Sequence, residues 1–193
     1  MLSLQPRIAL DIPYRGNRNY VQSSDLFAAL ERIARDRLSK DSYPQKLELR
    51  RLASCKVQAS LAAHPSAFGT FEIRSGPAVT MGWLIETGQI IERRIPYDEA
   101  PVANVALVEP GRAFLAAPVH GYTALDQAVI LVKILGAQLK VGRCFVAKLT
   151  CSKPFCEHQP VELNLLQTIL GRSQIIAISQ NLEPVARIQT VLQ

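Results

Sequence analysis

The chain has 193 residues, of which 48 % are apolar and 20 % charged, and a net charge of +6. That length suits one ordinary domain or two small fused units, and the composition excludes disorder over most of it. A pI near 9.4 directs attention to anionic partners. However, the basic residues are scattered, with Arg50-Arg51 and Arg93-Arg94 the densest runs, and aromatic residues make up 6 %. Nucleic acid is therefore the weakest of the partner readings.

In chain order, Arg7 to Ile12 reads as a short strand closed by Pro13, and Tyr14 to Asn19 as a turn-rich segment. Ser23, Ser24 or Asp25 can cap a helix whose apolar face is Leu26, Phe27, Leu30, Ile33, Ala34 and Leu38. Leu47 to Leu61 alternates like a strand, followed by strands at Gly69–Arg74, Val79–Thr87 and Ile90–Ile95, with a hairpin at Gly88-Gln89. A join begins at Asp98 and breaks again at Glu109-Pro110-Gly111. A strand at Ala113–Ala117 then leads through Pro118-Val119-His120-Gly121 into a helix from Ala124 to Leu139, apolar nearly all round. Such a helix is expected to be surrounded by protein. Strands follow at Cys144–Cys151, Val161–Thr168, Gln174–Ser179 and Val185–Val191.

The order recurs, and so do residues. Asn19 to Ile33 aligns with His120 to Ile134, placing Asp25 on Asp126, Leu30 on Leu131 and Ile33 on Ile134. Weaker matches join Arg51–Lys56 to Lys148–Lys153, Phe71–Ile73 to Val161–Leu163 and Arg94-Ile95 to Arg187-Ile188. The expected class is α+β: two tandem strand-helix-antiparallel-sheet units, 1–98 and 113–193, joined by a connector at 99–112.

This pattern resembles the hot-dog fold, and its duplication resembles the double hot-dog of fused acyl dehydratases and some thioesterases. His120-Gly121 before the apolar helix is similar to the His-Gly turn that opens the central helix of hot-dog thioesterases. Gly16-Asn17-Arg18-Asn19 is similar to the Asn-rich turn of another thioesterase branch. The resemblance implies an acyl-thioester protein, thioesterase- or dehydratase-like if active, with acyl-CoA or an acyl-carrier protein as partner. A rival duplicated fold is that of the gyrase-inhibitor-like small-molecule-binding domains.

On this reading His120 and Asp126 are the candidate catalytic pair. A helix N-terminus can polarise a thioester carbonyl, and a carboxylate or imidazole can act as base or nucleophile. Asn17, Asn19, Tyr20, Asp25, Gly121 and Tyr122 are the candidate substrate-binding residues. The duller account makes Asp25 and Asp126 helix-start residues and His120 a turn residue. The arginine doublets can face an anionic carrier or simply guard exposed strands. Trp83, Tyr97 and Tyr122 are acyl-channel candidates, with the core as the alternative.

Cys151, Cys156 and His158 match no common zinc spacing, and Cys55 and Cys144 sit among apolar residues, so free thiols and no metal are expected. No Gly-rich phosphate loop or nucleophile elbow occurs, and no cofactor is expected. Without an apolar leader or spanning segment, the expected compartment is the cytoplasm. A homodimer is expected because small sheets leave edge strands to cover. A further alternative is a non-catalytic duplicated module that binds a ligand or builds an assembly.

Overall fold

The computed structural model describes residues 7–139, 144–169 and 171–192. The chain divides into two compact units, Met1–Tyr97 and Asp98–Gln193.

In the first unit, strand β1 (Arg7–Leu10) and the two-residue strand β2 (Tyr14–Arg15) precede helix α1 (Ser23–Arg37). Four strands follow: β3 (Tyr43–Leu49), β4 (Val57–Ser60), β5 (Gly69–Ser75) and β6 (Ala78–Glu86). Antiparallel pairing gives the order β1-β4-β6-β5-β3. Leu26, Phe27, Leu30 and Ala34 form the buried stripe of α1, and Arg32, Arg35 and Asp36 the exposed side. Cross-strand partners Phe71 and Gly82 explain one glycine, because a Cβ on Gly82 would lie 2.2 Å from the Phe71 ring.

Two expectations are corrected in this unit. The alternating run from Leu47 to Leu61 is broken by a loop at 50–56. Glu86, at the end of β6, holds that loop: its carboxylate accepts the backbone N–H of Ser54 (2.6 Å) and of Cys55 (2.9 Å) and pairs with Arg51. Burial raises the pKa of Glu86, but these hydrogen bonds and the Arg51 charge outweigh it and hold the carboxyl below its ordinary value. The expected strand Ile90–Ile95 shrinks to β7 (Arg94–Ile95), which pairs in parallel with β2 and not in a hairpin.

The second unit opens with a single turn, α2 (Ala100–Ala103), then β8 (Leu107–Glu109) and β9 (Arg112–Phe114). Helix α3 (Ala124–Gln138) is followed by β10 (Cys144–Cys151), β11 (Glu162–Ile169), β12 (Ser173–Gln180) and β13 (Glu183–Leu192). The antiparallel order is β8-β9-β11-β12-β13-β10. Gln174, Ile176, Ile178 and Gln180 alternate inward along β12. On α3, the eleven buried residues include Ala128, Ile130, Leu131 and Leu135, whereas α1 buries seven. The difference follows from sequence: α3 carries Val129, Ile130, Leu131 and Val132 where a surface helix would place charges.

In the first unit β1 pairs with β4, and β3, which follows the helix, lies at the other end of the order; in the second unit β9 pairs with β11, and β10, which follows the helix, lies at the other end. Between these ends the order is β4-β6-β5 in the first unit and β11-β12-β13 in the second. The weaker sequence matches accordingly fall on different elements: Phe71–Ile73 lies in β5 and Val161–Leu163 enters β11, while Arg94-Ile95 is β7 and Arg187-Ile188 lies within β13.

Candidate functional site

The turn before α3 is built around Gln127, whose side chain is 1 % exposed. Its Oε1 accepts the Val119 N–H (3.0 Å) and its Nε2 donates to the Tyr122 carbonyl (3.0 Å), so one amide closes the turn across both ends. Gly121 has φ +86°, a conformation L side chains avoid, and the space where its Cβ would stand is open. His120 and Gly121 are exposed and Tyr122 is half-buried.

Thr123 is the N-cap: its Oγ1 accepts the Asp126 N–H (3.0 Å) and its carbonyl the Gln127 N–H (3.0 Å). The Ala124 N–H donates to Glu157 Oε2 (2.7 Å), so a carboxylate from the 152–161 loop sits on the positive end of the helix. That loop is pinned by Gln180, which binds the N–H and carbonyl of Cys156 (2.9 and 2.7 Å) and the Gln159 carbonyl (3.2 Å). Among the described residues, Leu125 is left with the one first-turn N–H that has no partner.

Asp126 is buried at 4 % exposure, between Leu125 and the apolar body of α3. The Tyr122 hydroxyl donates to the Asp98 carbonyl. Burial, and then the charges of Asp98, Asp126 and Glu99, push the Tyr122 phenol above its ordinary value. Glu99 in turn pairs with Lys133 of α3 at 2.5 Å. The structure thus brings Tyr122, Asp98, Glu99 and Asp126 near one another at the helix start, with Lys133 more than two turns further along α3 and His120 on the exposed turn before the helix.

The start of α1 is organised differently. Arg15 and Asp25 form an ion pair whose side chains are 13 % and 11 % exposed. Arg15 and Arg18 both lie over the Tyr97 ring, 4.7 and 5.1 Å from its centroid. Arg94 donates to the carbonyls of Gly16 (2.5 Å) and Arg18 (2.6 Å), so the β2–β7 ribbon straps the turn down. Positive φ falls on Gly16, and Asn17 and Asn19 are exposed, with Tyr20 half-buried. The N-cap, Gln22, makes no side-chain cap bond. Gln22 Nε2 and Ser24 Oγ are buried without a hydrogen-bond partner among the described residues.

Most of the arginine doublets are engaged internally: Arg51 with Glu86, Arg93 with Asp11 (3.0 Å) and Arg94 with the turn carbonyls. Among the described residues, no group of three or more His, Cys, Asp or Glu could hold a metal ion, and Cys55, Cys151 and Cys156 are free thiols. Cys144 lies at the start of β10, and its side chain is outside the described residues. Trp83 lies half-buried on β6. No helix among the described residues is long and apolar enough to cross a membrane.

Thr123, Gln127 and Glu157 were not singled out from sequence. Thr123-Ala124-Leu125-Asp126 has the spacing of a capping box, a signal that was available. Glu157 is 33 residues from the amide it binds, and no local pattern points to it.

No family model and no curated protein matches the chain by sequence. Solved structures do match. The dehydratase domain of PpsC from Mycobacterium tuberculosis, in complex with C12:1-CoA, is 9 % identical, with 100 % of this chain and 90 % of that one covered, at a TM-score of 0.54. A monomeric dehydratase domain from a trans AT polyketide synthase split module is 9 % identical over 97 % of this chain and 98 % of that one, at 0.51. The tesB protein of Mycobacterium avium subspecies paratuberculosis is 11 % identical over 100 % and 95 %, at 0.49. At such identities the likeness to the two dehydratase domains speaks to fold alone, and that fold resembles the hot-dog fold.

Proposed function

We propose that the chain is a double hot-dog protein that binds and processes an acyl thioester, of the acyl-CoA or acyl-carrier-protein type, in a thioesterase- or dehydratase-like manner at the start of α3. The observation that carries this reading is Asp126, a carboxylate buried at 4 % exposure in the first turn of a helix that follows an open positive-φ glycine turn bearing His120. In this reading Asp126 is the base or nucleophile and His120 the proton carrier. Gly121 lets the substrate approach the backbone, and the Leu125 N–H faces the charge that develops on the carbonyl oxygen. A same-fold neighbour holding C12:1-CoA supports the substrate class.

The test is turnover of a panel of acyl-CoA and acyl-carrier substrates by wild type, His120→Ala and Asp126→Ala. Loss of rate in both variants is expected. A wild type inert on the whole panel, or variants as fast as wild type, would overturn the catalytic assignment.

A second reading, a non-catalytic duplicated ligand-binding module, is favoured by a different observation. The α3 start is already capped by Thr123 and Glu157, while the α1 start buries Gln22 Nε2 and Ser24 Oγ unpaired, groups that a ligand oxygen would satisfy. Saturable acyl-CoA binding without turnover, weakened by Ser24→Ala, supports this reading. We also read the chain as a homodimer, so that sedimentation equilibrium should return about twice the chain mass of 21.3 kDa.

A further inference from the structure

Within the first unit, the C-terminal half of α1 does not close on the sheet beneath it. A cavity of about 30 Å³ opens there, bounded by Leu30, Ile33 and Ala34 of α1, Ile8 of β1 and Phe71 and Ile73 of β5. That is room for roughly two water-sized spheres, or about one or two methylene groups. Two lining residues carry hydroxyls, Ser60 of β4 and Thr80 of β6; that of Ser60 is already used, donating to the Ala62 carbonyl (2.8 Å) and accepting the Ala62 N–H (3.1 Å). A water placed there would lack the two to four polar partners it needs, so the space favours an apolar occupant.

The rim adds charge of one sign. Arg37, in the last turn of α1, borders the cavity, is exposed and has no ion-pair partner among the described residues. Arg7, also exposed, stands opposite Ser60 in the β1–β4 register. An apolar cleft with an unspent guanidinium at its mouth complements an alkyl chain that ends in a carboxylate, which guanidinium binds with two parallel N–H groups. The position is remote from the helix start: Leu30 to Leu38 lie about 10 to 22 Å along α1 from Ser23 at 1.5 Å per residue.

We infer that this cleft is a binding site for a free n-alkyl carboxylate, with the tail against Leu30, Ala34 and Phe71 and the head on Arg37. The assignment does not depend on any chemistry at α3.

Calorimetric titration with n-alkyl carboxylates of increasing length, matched n-alkanols and matched alkyltrimethylammonium ions tests it. Carboxylate affinity is expected to rise about fourfold per added methylene until the cleft is full and then to level off. Arg37→Glu should weaken carboxylates about fivefold and leave alkanols unchanged. Thr80→Phe, which fills the cleft from β6, should abolish the chain-length dependence. Equal affinity for carboxylate and alkanol, insensitivity to Arg37→Glu, or no binding at all would overturn the site. So would a change in sedimentation coefficient in Thr80→Phe, which would assign the cleft to contact between copies of the chain.

Discussion

The starts of α1 and α3 share a plan and differ in how their polar groups are satisfied. Asp25 and Asp126 are each the third residue of a fifteen-residue helix, 101 positions apart. Asp25 is neutralised by Arg15, whereas the residue at the same offset from Asp126 is the exposed Ala116. The N-caps differ in the opposite sense: Thr123 caps α3 with its side chain, while Gln22 leaves α1 without a side-chain cap. One helix start is therefore held by an ion pair and a strap, the other by a cap, an amide clasp and a borrowed carboxylate. Two aspartates at the same place in their helices thus stand in different electrostatic surroundings, by which each must be judged.

This contrast can be broken by substitution. Arg15→Ala removes a cation from beside the largely buried Asp25 and should cost about 3 kcal/mol in urea unfolding. A cost below 1 kcal/mol would show that the pair is not what holds the α1 start. Leu30→Ala and Leu131→Ala each remove a side chain that is 0 % exposed and should cost about 2–5 kcal/mol, with the α3 variant at the upper end because that helix is enclosed on more sides.

Glu86→Gln removes the charge that organises the loop carrying Ser54, whose carbonyl receives the Tyr14 hydroxyl beside β2. The expected loss is about 1–3 kcal/mol. Because the folded pKa of Glu86 lies below its ordinary value of 4.5, its contribution is present above that pH and is lost as pH falls through the folded pKa. The stability difference between wild type and Glu86→Gln should therefore shrink in acid. A difference independent of pH would contradict the assignment. Smallest of all, Thr123→Ala should cost about 1 kcal/mol through the lost cap, with no matching loss in Gln22→Ala, which has no cap bond to lose.

The helices were legible because their periodicity is written into consecutive residues. The Leu26-Phe27-Leu30-Ala34 stripe set the face of α1, and the unbroken apolar run from Ala128 to Val132 announced that α3 would be buried. The sheet was less so. Alternation holds for much of Leu47–Leu61, yet the chain leaves the sheet at 50–56, because the loop is fixed by Glu86, 31 residues beyond Cys55. Ile90–Ile95 carries three β-branched isoleucines, yet only two of its residues pair, and with β2 rather than with β6. At the candidate site, the turn at His120-Gly121 and the helix start at Asp126 could be placed from sequence. Gln127 and Glu157 could not, since their roles depend on groups that folding alone brings together.

The account rests on Asp126 acting where Asp25 does not. The direct measurement is kcat/KM of Asp126→Asn relative to wild type on the best acyl-thioester substrate of the panel, with folding of the variant verified by urea titration. A fall of at least about a hundredfold with stability retained is the predicted result. Unchanged kcat/KM in the folded variant would contradict it.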